Sequence, residues 1–281
     1  MGLALKHALA DALVCKKVRE KLGTQRNYVY HVGGGAFAPE INEFFQAFGI
    51  NIIQGYGLTE FFPVCVGFND HGKVGACGPV LPLVQVRISE EGEIQLKGRN
   101  VMQGYFNKPE ATREMFTADG WFKTEDVGFL EGENLQHITI TDRIKDLIVT
   151  AGGKNISPQQ IELLLSDEPF IEQVVVVGEG KKYITALVVP AFDTLEDYAR
   201  SRNISFQSRR DLIEHPDIIS LYEKKVADRT TSLGRVEQIK KIKLLDKELT
   251  QEDGELTPTL KVKRKEVSRQ YSDLIEQMYR E

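Results

Sequence analysis

Several short segments concentrate residues able to handle a nucleotide. Gln54-Gly55-Tyr56-Gly57-Leu58-Thr59-Glu60 sets an aromatic plane, a hydroxyl and a carboxylate around two glycines. Glycine lets backbone approach a ligand closely, and the Tyr56 ring offers a stacking surface. Thr59 and Glu60 supply oxygens of the kind a hard divalent cation takes. Without context the same segment reads equally as a strand running out into a loop. Upstream, Gly33-Gly34-Gly35-Ala36-Phe37-Ala38 has the spacing of a GxGxxA dinucleotide turn. The acid such a turn needs after the next strand is missing, because Ile53 is followed by Gln54 and the nearest acid is Glu60. A tight turn between packed elements is the plainer reading. Gly120-Trp121-Phe122-Lys123-Thr124-Glu125-Asp126 ends in a carboxylate suited to accept hydrogen bonds from the two vicinal hydroxyls of a ribose. Taken alone, it reads as a solvated loop.

The second half carries two further segments. Asp142-Arg143-Ile144-Lys145-Asp146 is a charged junction leading into Gly152-Gly153-Lys154-Asn155-Ile156-Ser157-Pro158, a glycine turn followed by a helix start. Leu256-Thr257-Pro258-Thr259-Leu260-Lys261-Val262-Lys263-Arg264-Lys265 puts a row of cations before the last helix, a pattern that by itself reads as a solvated basic face. Cys15, Cys65 and Cys77 form no CxxC pair and read as reduced thiols of a cytoplasmic protein. The five histidines form no HExxH or short-spaced pair, so no dedicated zinc site is expected.

The elements that must position these residues follow from periodicity. Leu5, Leu9, Leu13, Val14, Val18 and Leu22 mark an amphipathic helix over residues 3–22 that stops at Gly23 and needs a partner for its apolar stripe. A strand over 28–32 enters the glycine run. Pro39 then opens a helix with Ile41, Phe44, Phe45 and Phe48 on one face, and Ile50 to Ile53 makes a buried strand. This is an α/β unit with too few strands for a full sheet, so residues 1–78 read as an incomplete α/β subdomain. Residues 79–141 alternate in short runs, as in Val84, Val86 and Ile88, with a turn at Glu90-Glu91-Gly92, and read as a β-rich, barrel-like subdomain. Residues 142–281 read as a small α+β domain: helices near 158–165, 194–202 and 217–232, strands near 173–177, 183–189 and 239–244, and a terminal helix with Val267, Leu274, Ile275 and Met278. The 281 residues suit such a division.

Composition agrees with a globular chain, 41% hydrophobic and 27% charged. A net charge of −5 argues against nucleic acid as a partner. Apolar runs such as 174–177 are far too short to span a bilayer, and charged residues interrupt the first apolar stretch where a signal peptide would need continuity. Met1-Gly2 resembles a myristoylation start, but position 6 is Lys.

In this order and spacing, with the connecting text VMQGYFNKPEATREMF and DLIVTAGGKNISPQQIE, the segments resemble the adenylate-forming superfamily and closely its long-chain acyl-CoA synthetase branch. The resemblance covers nearly the whole chain. It implies an ATP-dependent acid–thiol ligase that converts a fatty carboxylate to acyl-adenylate and pyrophosphate, then passes the acyl group to coenzyme A. It implies ATP, Mg2+ and CoA as ligands. Gly34, Gly35 and Ala36 would lie along the adenine, with Tyr56 packed against it and Gly57 beside it. Thr59 would sit near the α-phosphate, and Glu60 would hold magnesium. Asp126 and Arg143 would hold the ribose hydroxyls, Lys145 would be the hinge of a mobile carboxy-terminal domain, Gly153 would line the pantetheine tunnel, and Lys261 would be the adenylating lysine.

Three departures stand out. The branch's phosphate loop should lie upstream of Met1, so the chain is expected to be the carboxy-terminal portion of an enzyme, inactive without its amino-terminal part. Thr124-Glu125-Asp126 replaces the usual Thr-Gly-Asp, and Leu260 stands where the superfamily often has glycine. A stand-alone nucleotide- or CoA-binding module, and a ligase loading the phosphopantetheine of a carrier protein, remain as alternatives. Peripheral membrane contact also stays open.

Overall fold

The computed structural model describes residues 2–24, 26, 29–35, 37–67, 74–132 and 136–280. The expectations for Tyr28, Ala36 and His71 fall outside these residues. The chain divides into two compact units, residues 1–144 and 145–281.

In the first unit the opening helix runs as α1 (Leu3–Ala10), a wider-wound segment Asp11–Cys15, and α2 (Lys16–Lys21), ending at Gly23 with φ +67°. Leu5, Leu9, Leu13, Val14 and Leu22 are all more than half exposed. Arg19 donates to Asp11 within this helix and ties it to the carbonyl of Phe48. Strand β1 (Tyr30–Val32) leads to α3 (Pro39–Ala47), which Pro39 starts in the first-turn position where its missing N–H costs nothing. The expected apolar face of α3 is only partly covered. Ile41 and Phe44 are exposed, Phe45 and Phe48 half-buried, and the polar Asn42 is the buried residue.

Strand β2 (Ile52–Leu58) pairs parallel with β1 and antiparallel with β3 (Phe61–Val66). The β-rich half-barrel that follows is a four-stranded antiparallel sheet in sequence order: β4 (Gln85–Ile88), β5 (Glu93–Lys97), β6 (Phe122–Glu131) and β7 (His137–Arg143), with α4 (Pro109–Glu114) between β5 and β6. Gly120–Asp126 is therefore largely strand rather than solvated loop, because Phe122, Thr124 and Asp126 alternate inward. Tyr56, Phe61, Val64, Cys65, Cys77, Ile94, Leu96, Phe122 and Ile138 make one core, so residues on both sides of position 78 share it. Cys65 and Cys77, twelve apart in sequence, meet there as free thiols, and their mutual hydrogen bond together with burial pushes the Cys65 thiol up.

The second unit begins with a hairpin of β8 (Ile148–Val149) and β9 (Asn155–Ile156), followed by α5 (Pro158–Leu165), which Ser157 caps by accepting from the Gln160 amide. Its main sheet orders β10 (Ile171–Val177), β11 (Thr185–Pro190) and β12 (Ile242–Leu244), the first pair antiparallel and the second parallel. Helices α6 (Phe192–Ser201), α7 (Arg209–Glu214) and α8 (Pro216–Arg229) contribute to the core. Every residue of β11 is buried, and Tyr222 of α8 is fully buried, its hydroxyl donating to the Phe170 carbonyl. The terminal helix is two, α9 (Arg264–Gln270) and α10 (Ser272–Tyr279). Periodicity overlooked α7 because six residues are too few to show a repeat.

Each unit has its own core, so limited proteolysis should cut near 142–146 first and release a stable fragment of residues 145–281. Cuts scattered through β10–β12 instead would contradict independent folding.

Candidate functional site

In the first unit the candidate residues gather around the β2–β3 hairpin. Leu58 pairs with Phe61, so Thr59 and Glu60 form its two-residue tip. The segment after β5 holds that tip: Val101 bridges Phe61, the Met102 amide donates to the Glu60 carbonyl at 2.6 Å, and the Tyr105 hydroxyl donates to Glu60 Oε1 at 2.8 Å. Desolvation, followed by the Glu60 bond and charge, pushes the Tyr105 phenol up to about 12, so it remains a donor through the neutral range.

A cavity of about 590 Å³ opens beside the hairpin, lined by His31, Val32, Gly33 and Gly34 from the end of β1 and its turn, and by Gly55 to Thr59, Phe62, Cys65 and Val66. Gly34, Tyr56, Gly57 and Thr59 thus share one wall set, although the glycine run and the hairpin are separate in sequence. A Cβ on Gly57 would come within 2.6 Å of the Phe62 ring. That glycine is a packing requirement. Gly35 adjoins the cavity-lining Gly34 but is not itself part of the lining.

Tyr56 links this wall to Asp126. Its hydroxyl donates to Asp126 Oδ2 at 2.6 Å, while Arg143 Nε donates to Asp126 Oδ1 at 3.0 Å. Burial, then the Asp126 charge, drives the Tyr56 phenol far above its usual range and keeps it protonated as donor. Asp126 is buried, whereas the Arg143 side chain is 58% exposed.

The backbone reaches this arrangement through a bulge. Glu93 pairs with Val127 and Gln95 with Lys123, so Ile94 alone faces Thr124, Glu125 and Asp126. Thr124 Oγ1 donates to the Ile94 carbonyl and accepts from the Asp126 amide, and the Glu125 amide donates to Glu93 Oε1. Such a bulge re-aims the side chain that follows it. Glu125 sits at φ +60°, and Leu260, where the superfamily but often not its long-chain branch has glycine, also has φ +60°. Both residues hold a left-handed backbone.

In the second unit Gly153, φ +75°, lies at the exposed tip of the β8–β9 hairpin. The Lys261 amide donates to Thr257 Oγ1, the Thr257 amide to the Lys261 carbonyl, and Leu256 bridges Val262. Lys261 is therefore held in a tight turn with an exposed side chain. Lys145, also exposed, lies in the single turn Ile144–Asp146 where one unit ends and the other begins.

Residues 4–106 match the model of the AMP-binding enzyme family, and residues 145–281 that of the AMP-binding enzyme C-terminal domain. The chain belongs to the AMP-binding enzyme family. Among curated relatives of this AMP-binding family it is 39% identical over 281 residues to the long-chain-fatty-acid–CoA ligase FadD15 of Mycobacterium bovis, covering 99% of this chain and 46% of that protein. It is 35% identical to the putative fatty-acid–CoA ligase fadD11 of Mycobacterium tuberculosis, covering 99% of this chain and 48% of that protein. The chain spans about half the length of these relatives. Among solved structures, the adenylation domain of a carboxylate reductase from Mycobacterium chelonae superposes with a TM-score of 0.75 at 23% identity, over 97% of this chain and 41% of that one. This likeness shows that the fold is that of adenylate-forming domains.

Sequence reasoning missed His31, Phe62 and Tyr105. Tyr105 had a signal, since it lies in the quoted GYFNKPE text, but its partner is 45 residues away. For magnesium, no group of three or more His, Cys, Asp or Glu gathers among the described residues. Magnesium usually takes one or two carboxylates with phosphates and water, a demand that Glu60 fits.

A left-handed non-glycine residue costs on the order of 1 kcal/mol. Glu125→Gly and Leu260→Gly should each raise stability by about that amount in chemical denaturation. Destabilisation by both would contradict the backbone reading.

Proposed function

We propose that this chain supplies the adenosine-binding wall and the carboxy-terminal domain of an AMP-forming ligase that activates long-chain fatty carboxylates and transfers them to the thiol of CoA. The supporting observation is the Tyr56–Asp126–Arg143 linkage at the cavity edge. It joins an aromatic ring suited to a base with a buried carboxylate suited to ribose hydroxyls. The names of the relatives support the substrate class. Three free cysteines support a cytoplasmic setting. No helix among the described residues is long and apolar enough to cross a membrane.

The roles follow from charge. Gly34 and Gly35 bring backbone along the adenine, and Tyr56 packs against it beside Gly57. Asp126 and Arg143 orient the ribose. Attack of a carboxylate on the α-phosphate brings anions together, so Thr59 positions the phosphate by hydrogen bonding. Glu60 would hold magnesium, which when bound offsets phosphate charge. Lys261 stabilises charge developing in the transition state. Gly153 leaves the pantetheine arm room, and Lys145 is the hinge that lets the two loops act in turn.

The test joins this chain to a polypeptide matching the amino-terminal half of the Mycobacterium bovis relative. In that enzyme Lys261→Ala should lower pyrophosphate release from ATP and palmitate by roughly 10²–10³. Thioester formation from preformed acyl-adenylate and CoA should be largely spared. Gly153→Leu should show the reverse pattern, with Gly153→Asn as a control for its left-handed backbone. Equal loss in both half-reactions for both residues would overturn the assignment.

A further inference from the structure

The basic row after Lys261 is not uniformly solvated. Arg264 is turned inward, its side chain 16% exposed, and forms a two-pronged pair with Glu162 of α5: Nη1 donates to Oε1 at 2.5 Å and Nη2 to Oε2 at 3.0 Å. Both partners also grip one residue of β10. The Val176 amide donates to Glu162 Oε1 at 2.8 Å, and Arg264 Nη1 donates to the Val176 carbonyl at 2.7 Å.

Val176 is fully buried in a small separate core with Ile148, Ile156, Ile161 and Ile184. Ile148 and Ile156 pair with each other at the foot of the hairpin whose tip carries Gly153. On the other side, Arg264 lies three residues past Lys261. The turn is closed by the Lys263 amide donating to the carbonyl of the fully buried Glu255, whose carboxylate accepts from the Tyr271 hydroxyl. One ion pair therefore stands between the foot of the Gly153 hairpin and the end of the Lys261 turn, although its partners are 102 residues apart.

We propose that Glu162 and Arg264 are positioning residues that hold the Lys261 turn and the Gly153 hairpin in one frame, so that both loops move with their domain and not separately. This rests on the reading that the two loops serve successive half-reactions. The planar fork matters, because only a guanidinium meets both carboxylate oxygens and a carbonyl together. A lysine keeps the charge and loses the geometry.

The experiment is amide hydrogen exchange on the full chain, comparing native protein with Arg264→Lys and Glu162→Gln. In Arg264→Lys, amides at 257, 259–263 and 150–156 should exchange together, roughly tenfold faster or more. Amides of β11 should keep native protection, which a general loss of stability would not allow. Glu162→Gln keeps one acceptor for the fork, so it should give a smaller effect at both loops and serves if Arg264→Lys fails to fold. Unchanged exchange, or a change confined to one loop in both variants, overturns the proposal. The readout needs no catalysis, so it stands or falls separately from the ligase assignment. In the joined enzyme, Arg264→Lys should lower kcat of both half-reactions with little change in KM for ATP, and a loss in only one would also count against it.

Discussion

A buried carboxylate needs partners, and the first unit is arranged around the partners of Asp126. Removing one member of a buried charged pair leaves an uncompensated charge that costs about 3–5 kcal/mol. The two bonds to Asp126 are unequal. Tyr56 is itself buried, and a hydrogen bond to a charged group in such surroundings contributes about 1.5–3 kcal/mol. Arg143 is more than half solvated, so its pairing with Asp126 is screened and contributes about 0–1 kcal/mol. The phenol therefore anchors the carboxylate, while the guanidinium stays exposed enough to meet a ligand. Three strands must be in register for this to happen: β2 to place Tyr56, and β5 against β6 to form the bulge that turns Asp126 toward it. The left-handed conformation of Glu125 is the local cost of that turn.

The second unit uses the same device for another purpose. Glu162 and Glu255 are carboxylates drawn inside and satisfied by Arg264 and Val176 in one case, and by Tyr271 and the Thr250 amide in the other. They fix the backbone near the exposed Lys261 and Gly153, so the polar interior holds geometry.

Much of this was legible because local patterns are physical. Pro39, Pro158 and Gly23 sit at helix boundaries where proline's fixed φ and glycine's freedom favour them, and the alternation in 84–96 reports a half-buried sheet. The ordered motifs brought Tyr56, Asp126 and Arg143 into view as candidates, but not the bonds between them, since the Tyr56–Asp126 contact spans 70 residues. The segment 120–126 read as a loop because its strand character depends on pairing with β5, which no short window contains. Arg264 read as one more surface cation for the same reason. Ile41 and Phe44 show the converse: a correct apolar face on α3 that the described residues leave exposed.

Whether Asp126 holds a ribose is the claim on which the functional account turns. Calorimetric binding of AMP and of 2′,3′-dideoxy-AMP to the joined enzyme and to its Asp126→Asn variant measures it directly. A site built to bond hydroxyls rejects an analogue lacking them, so the native enzyme should prefer AMP by at least about tenfold, and Asp126→Asn should lose most of that preference. Equal binding of the two nucleotides by the native enzyme, or an undiminished preference in the variant, would contradict the account.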